Sequence, residues 1–259
     1  LRQSPGRGLG QPLPAAFLKH ADEQTVVALA AVFRAVHHFD LAQTCFHHWG
    51  VIAASCFLGR ATLAVALQRF TLEGAWGVSP HLIPHRSLHS VSGTISQALQ
   101  VHGPNFGVGG GPGSTSEALL VAGALLARDR LPGLWVVLTG WDAEPVLDLR
   151  GGPSANGHKT AKACAALALA LAADQPGRPG PRLHVGAGAS DRPPSRNSAA
   201  APGRASFNLE ALAQVLASPV PLNPASHAGG EDGVPVAWSL DCGGWVKLER
   251  DGAGAENGL

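Results

Sequence analysis

A chain of 259 residues, 45% hydrophobic and only 14% charged, can bury one large core or two small ones, and its charged share falls well short of the usual value of about 25%. A net charge of +1, no basic run and 5% aromatic residues exclude a nucleic-acid surface. The longest apolar run, Ala161–Ala173, is interrupted by Lys162 and falls short of the roughly 20 residues that a membrane span requires.

No methionine occurs, so the initiator is missing and a fragment or trimmed product is expected. The opening LRQSPGRGLGQPLP lacks the continuous apolar region of a signal peptide. The four cysteines, Cys45, Cys56, Cys164 and Cys242, form no CxxC pair. A reduced thiol set in a soluble, cytoplasmic protein follows as the expectation, with no zinc and no cofactor.

Residues 1–12 are expected to be a flexible segment. From Pro14 to Phe39, apolar residues recur at three- and four-residue steps and predict a helix. Trp49–Ser55 is an apolar run of strand length. Gly59–Phe70 returns to helical spacing, with Leu63, Leu67 and Phe70 on one face. Val78-Ser79-Pro80 reads as a turn, Leu82 begins a short helix or loop, and Ser90–Leu99 a helix.

The stretch Val101–Leu126 is the most structured in its punctuation. A β-prone piece, Asn105–Val108, enters Gly109-Gly110-Gly111-Pro112-Gly113 and leaves as a helix, with Ser114 and Glu117 spaced as a capping box. A strand, tight turn and helix in that order present whatever fills the turn at a helix N-terminus, where free N–H groups favour an anion.

Leu134–Thr139 predicts a second buried strand, closed by Gly140-Trp141-Asp142. Cys164–Ala172 alternates Ala and Leu, so helix and strand both fit. Leu183–Ala187 reads as a strand, residues 188–205 as an exposed loop, and Phe207–Ala217 as a helix capped by Asn208. Val234–Leu240 and Trp245–Glu249 can close a final hairpin, and residues 250–259 are expected to be disordered. Strands alternating with amphipathic helices predict a layered α/β fold with a single domain over 13–249.

Taken together, Val51–Ser55, Gly77-Val78-Ser79-Pro80, His102-Gly103-Pro104-Asn105, the Gly-rich turn with its Ala-rich helix, and Val136–Trp141 resemble the N-terminal half of β-ketoacyl-ACP synthases, the thiolase-fold condensing enzymes. Cys164–Ala173 and Leu183–Ala187 match the family's two following strands. The likeness runs over roughly residues 12–190. It implies a thiolase-like layered α/β half-fold: a mixed sheet of about five strands covered by helices, with a C-terminal helix and hairpin as an extension.

In that family the turn carries a nucleophilic cysteine. Counted from Gly103-Pro104, that position falls on Pro112, between Gly111 and Gly113. The family's C-terminal half brings the histidines that activate the cysteine, yet only about 70 residues follow Ala189, against the roughly 200 such a half requires. The resemblance therefore implies a short, non-catalytic, chain-length-factor-like partner of an active ketosynthase, in fatty-acid, polyketide or aryl-polyene synthesis. It implies a heterodimer with that ketosynthase and dealings with its acyl carrier protein. It also places Asn105, Phe106, Val108, Leu82 and Leu88 at the interface or acyl pocket.

Other readings of the same residues stay open at this level. Ser114 or a cysteine, paired with one of the twelve histidines, could serve an independent acyl-thioester transferase or hydrolase. The turn lacks the lysine and hydroxyl of a phosphate-binding loop and the third glycine of a dinucleotide fingerprint. His37, His38, His47 and His48 cluster in sequence, and His81, His85 and His89 recur at four-residue steps, which on one helix face could bind a metal. Pro80 and Pro84 argue against a regular helix there, and no metal is expected. Asn156-Gly157-His158-Lys159 has a ketosynthase-like Gly-His in the wrong place along the chain.

Overall fold

The computed structural model describes residues 13–111, 113–128, 131–142, 163–175, 181–186, 209–217, 237–240 and 244–249. The expected segments 1–12, 188–205 and 250–259, together with Pro112, Asn156–Lys159, Asn208 and Cys242, lie outside the described residues.

The core is a four-stranded sheet in the order β2-β1-β3-β4. β1 (Gly50–Ser55) lies between β2 (Asn105–Val108) and β3 (Leu134–Asp142) and is parallel to both. β4 (Ala163–Leu171) runs antiparallel to β3 over nine residue pairs. Every residue of β1 is buried, which is what a continuous apolar run in the middle of a parallel sheet requires.

Alternation along the strands divides the side chains between two cores. Val51, Ala53, Trp135 and Val137 pack on one face with α1 (Glu23–His38) and α4 (His89–Leu99). Ile52, Ala54, Val136 and Leu138 pack on the other with α5 (Ser114–Arg128) and α6 (Leu209–Ala217). The same alternation settles the Ala/Leu run. As a strand, β4 sends Leu167, Leu169 and Leu171 to the α5 side and Ala168 to the α1 side, where small residues let the helix approach closely.

A second sheet, β5 (Arg182–Gly186), β7 (Trp245–Glu249) and β6 (Ala237–Ser239), is antiparallel in the order β5-β7-β6. Its Trp238, Val246 and Leu248 join the α5 core. The C-terminal helix and hairpin are thus present, the main mixed sheet has four strands, and β5 sits with the hairpin.

Two helices differ from their periodicity. The helix predicted from Pro14 begins at Glu23, because Asp22 is extended (φ −70°, ψ 157°) and its Oδ1 accepts from the Gln24 N–H at 3.0 Å; the preceding residues form turns. α2 (Arg60–Glu73) is the helix expected with Leu63, Leu67 and Phe70 on one face, but none of its described residues is buried. Apolar residues surround this helix, and no core lies beneath the expected stripe.

A buried polar knot joins α1 to the ends of β1 and β3. Thr139 Oγ1 donates to Gln24 Oε1 at 2.7 Å and lies 2.8 Å from Ser55 Oγ, which with one proton per hydroxyl is the donor in that second bond. Gln24 Nε2 donates to the Cys56 carbonyl at 3.0 Å. Thr139→Val strands a buried acceptor, Gln24 Oε1, and a buried donor, the Ser55 hydroxyl, at nearly constant volume and should destabilise the fold by about 1–3 kcal/mol in urea titration. Exposed Thr62→Val should stay within about 0.5 kcal/mol.

Candidate functional site

β1, β2 and β3 are parallel, so their carboxyl ends lie together, and in open α/β sheets the crevice beyond such ends is where ligands bind. Here it is bounded by Ser55-Cys56, by Gly109–Gly111 and by Thr139-Gly140. The turn after β2 depends on glycine. Gly109 (φ +77°) and Gly110 (φ +110°) occupy backbone space that side chains rarely enter, and a Cβ at Gly109 would lie 2.7 Å from Ser114 Cα. A Cβ at Gly107 would run into the Leu88 backbone. The turn is also tied to its neighbour: the Phe57 N–H donates to the Gly110 carbonyl at 3.1 Å.

The helix start differs from the capping box in the sequence. Ser114 is already helical, its N–H donates to the Gly111 carbonyl at 3.1 Å, and the Glu117 N–H donates to the Gly113 carbonyl at 3.1 Å. Glu117 carboxylate oxygens stand beside Gly109 and Gly113 instead. The helix N-terminus therefore has its own carboxylate close by, which opposes a bound phosphate. Ser114 is 2% exposed, beneath the turn and not displayed on it.

Beside the turn lies a groove of about 490 Å³. Phe57, Leu58, Leu63, Leu88 and Gly110 line it together with Arg60 and Arg86. The Arg60 guanidinium sits 4.7 Å above the Phe57 ring. Arg86 is fixed: its Nη1 donates to the His20 carbonyl (2.9 Å) and the His85 carbonyl (3.0 Å), and its Nε is 3.6 Å from Asp22 Oδ2.

Of the residues expected at an interface or pocket, Leu88 lines the groove, while Leu82 is half-buried on α3 (Leu82–Arg86) and does not. Asn105, Phe106 and Val108 lie on β2 at the edge of the sheet, half-buried. Phe106 and Val108 pack partly against the α5 core, and Asn105 Oδ1 is buried without a hydrogen-bond partner. Phe57, Arg60 and Arg86 escaped the sequence reading; the glycine after a buried strand, Gly59 (φ +65°), was the signal for a turn that could line a site.

The histidines regroup. His81 and His85 join His20, with His20 and His81 stacked at 4.6 Å and 2° and His85 tilted at 5.7 Å from His20. His89 lies on α4 near Ser92 instead. His47 stacks on His102 at 4.3 Å. Among the described residues, no group of three or more His, Cys, Asp or Glu is arranged to hold a metal.

Ser92 Oγ is 3.4 Å from His89 Nδ1, but Ser92 is fully buried and its hydroxyl also donates to the His89 carbonyl at 3.1 Å. That is a helix back-bond, not an activated nucleophile. Cys45 is exposed and Cys56 half-buried. Burial, followed by the nearby Asp22 and Glu23 carboxylates, pushes the Cys164 thiol up to about 12. Among the described residues, no helix is long and apolar enough to cross a membrane.

No family model matches the sequence, and no curated protein matches it. Solved structures are similar over part of the chain. The ishigamide ketosynthase/chain length factor matches at 20% identity and a TM-score of 0.47, over 65% of this chain and 50% of its own. A type II PKS acyl-carrier protein in complex with its ketosynthase bound to the hexaketide (AntDE:AntF) matches at 15% identity and a TM-score of 0.40, over 49% of this chain and 38% of the other. The chain therefore spans half or less of the length of these solved chains.

Two measurements test the site's chemistry. At pH 8, a thiol reagent read by peptide mass spectrometry should label Cys45 and leave Cys164 unmodified in the folded chain. His20 and His85 are both held below the usual imidazole value, by loss of hydration first and then by each other's neighbours: His81 and Arg86 act on both, Lys19 on His20. The folded state thus binds fewer protons here than the unfolded state. The contact between α3 and residues 19–22 should be fully present above pH 6.5 and weaken as pH falls through the lower folded values, with Asp22 partly offsetting the added charge. Amide exchange of residues 81–86, corrected for its intrinsic pH dependence, should rise between pH 7.5 and pH 5, and His81→Gln with His85→Gln should flatten that rise.

Proposed function

We propose that this chain is a non-catalytic, ketosynthase-like subunit that pairs with an active ketosynthase and limits how far its acyl chain grows. One observation carries the reading. A strand, glycine turn and helix stand at the carboxyl ends of three parallel strands, where a condensing enzyme keeps its cysteine, yet this turn offers no nucleophile. Gly109, Gly110, Gly111 and Gly113 have no side chain, Pro112 has no thiol, and Ser114 is buried under the bend. The order and spacing of the surrounding segments support the family reading.

In this role the partner supplies cysteine and histidine, and this chain supplies wall and contact surface. β2 is the edge strand of its sheet and carries no charged residue, so its outer edge can accept another strand. The substrate class is an acyl or β-ketoacyl thioester brought by an acyl carrier protein, in fatty-acid, polyketide or aryl-polyene synthesis. Leu88, against Gly107 and Gly110, sets the depth available beside the turn by bulk alone.

Co-expression with the ketosynthase encoded nearest to it should yield a heterodimer with elongating activity, and Phe106→Asp should weaken that complex at least about tenfold. Leu88→Phe should shift products toward shorter chains and Leu88→Ala toward longer ones. A stable chain that ignores such ketosynthases would sink the proposal. So would thioester turnover by the isolated chain that Ser114→Ala abolishes.

A further inference from the structure

Arg86 ties three parts of the molecule together. From α3 its guanidinium reaches the segment before α1, where Nη1 donates to the His20 carbonyl and Nε stands 3.6 Å from Asp22 Oδ2. Its stem packs over Gly59, the N-cap of α2: a Cβ there would lie 2.9 Å from Arg86 Cδ. The same side chain lines the groove beside the glycine turn. Phe57, also in that lining, is bonded through its N–H to the Gly110 carbonyl. One side chain thus couples the seat of α3 to the shape of the groove.

Three imidazoles stand at that joint. His20 and His81 stack at 4.6 Å and 2°, and His85 lies 5.7 Å from His20 and 6.2 Å from His81. Neutral rings tolerate this spacing, whereas like charges so close repel one another. The other charges here are Lys19 and Arg86, both positive, and the carboxylate of Asp22. Asp22 is buried and already engaged by Arg86 and the Gln24 N–H. Glu23, next in sequence, acts on Cys164. Of the helices packed on α3, α2 brings another cation, Arg60, to the groove and sets Glu73 beside Gly77, while α4 turns His89 to Ser92.

We propose that His20, His81 and His85 form an acid-sensitive latch, which seats α3 at neutral pH and, through Arg86, opens the groove beside the glycine turn as pH falls. His20 and His85 take up protons less readily than free imidazoles, first because they lose hydration and then because their neighbours are cationic or titrate with them. The closed state therefore binds fewer protons than the open one. It is fully favoured above pH 6.5 and gives way as pH falls through the lower values of the closed state. Unseating α3 draws Arg86 off Gly59, and the Phe57–Gly110 bond passes the loosening on to the turn. The latch involves no ligand, and the inference does not depend on the function proposed above.

Hydrogen exchange of the whole chain, read by peptide mass spectrometry and corrected for its intrinsic pH dependence, tests the coupling away from the histidines. Between pH 7.5 and pH 5.5, residues 57–63 and 107–111 should exchange at least about fivefold faster, while residues 50–55 of β1 stay unchanged. His20→Gln, His81→Gln and His85→Gln together should abolish that acceleration; these side chains are exposed or half-buried, so the variant should keep its far-UV circular dichroism. His81→Arg, a fixed charge in the stack, should bring the faster exchange on at pH 7.5. Acceleration confined to residues 81–86 would overturn the proposal, because α3 would then fray without moving the groove. So would acceleration of residues 57–63 that persists in the triple glutamine variant, or acceleration of β1 to the same degree, the mark of general acid unfolding.

Discussion

The pairing of β1 with a parallel strand on each side is the constraint from which the rest follows. Ala54 lies opposite Val108 on one side and Leu138 on the other, so β1 and β2 leave the sheet at the same level while the third strand, β3, runs on to Asp142 against β4. Their exits must then diverge without clashing. The β2 exit does so through glycines at positive φ, and the β1 exit through Phe57 and Gly59, also at positive φ. The Phe57–Gly110 hydrogen bond locks the two exits together, and the knot of Gln24, Ser55 and Thr139 fixes the third. A single buried glutamine from α1 thereby sets the height of the whole site.

That geometry separates shape from chemistry. The crevice lies at the carboxyl ends of parallel strands and beside a helix N-terminus, and one thiol, the half-buried Cys56, stands at its edge. Ser114 lies below the bend, and the Cys164 thiol is held in its protonated form by burial. What the groove beside it presents is mostly apolar, Phe57, Leu58, Leu63 and Leu88, together with Arg60 and Arg86.

Much of this was readable from residue order. The β2 segment Asn105–Val108, the buried strand that became β1, and the helix after the glycine turn followed from local punctuation and apolar runs, because glycine and continuous burial act over a few residues. What local pattern left undecided shares a cause. Periodicity located the apolar stripe Leu63, Leu67 and Phe70, but only the tertiary fold decides whether a core lies under it. Pro80 and Pro84 already spoke against one helix face for His81, His85 and His89, and α3 does end at Arg86; what spacing could not show is that the third ring in the cluster is His20, far away in sequence. The Ala/Leu run was ambiguous because alternation fits a strand and composition fits a helix, until pairing with β3 settled it.

The most direct test is intact-protein and peptide mass spectrometry of this chain together with the ketosynthase proposed as its partner, after a brief exposure to an acyl thioester. The account predicts an acyl adduct on the ketosynthase cysteine and none on residues 101–126 of this chain. A covalent acyl group on any residue of that stretch would contradict it.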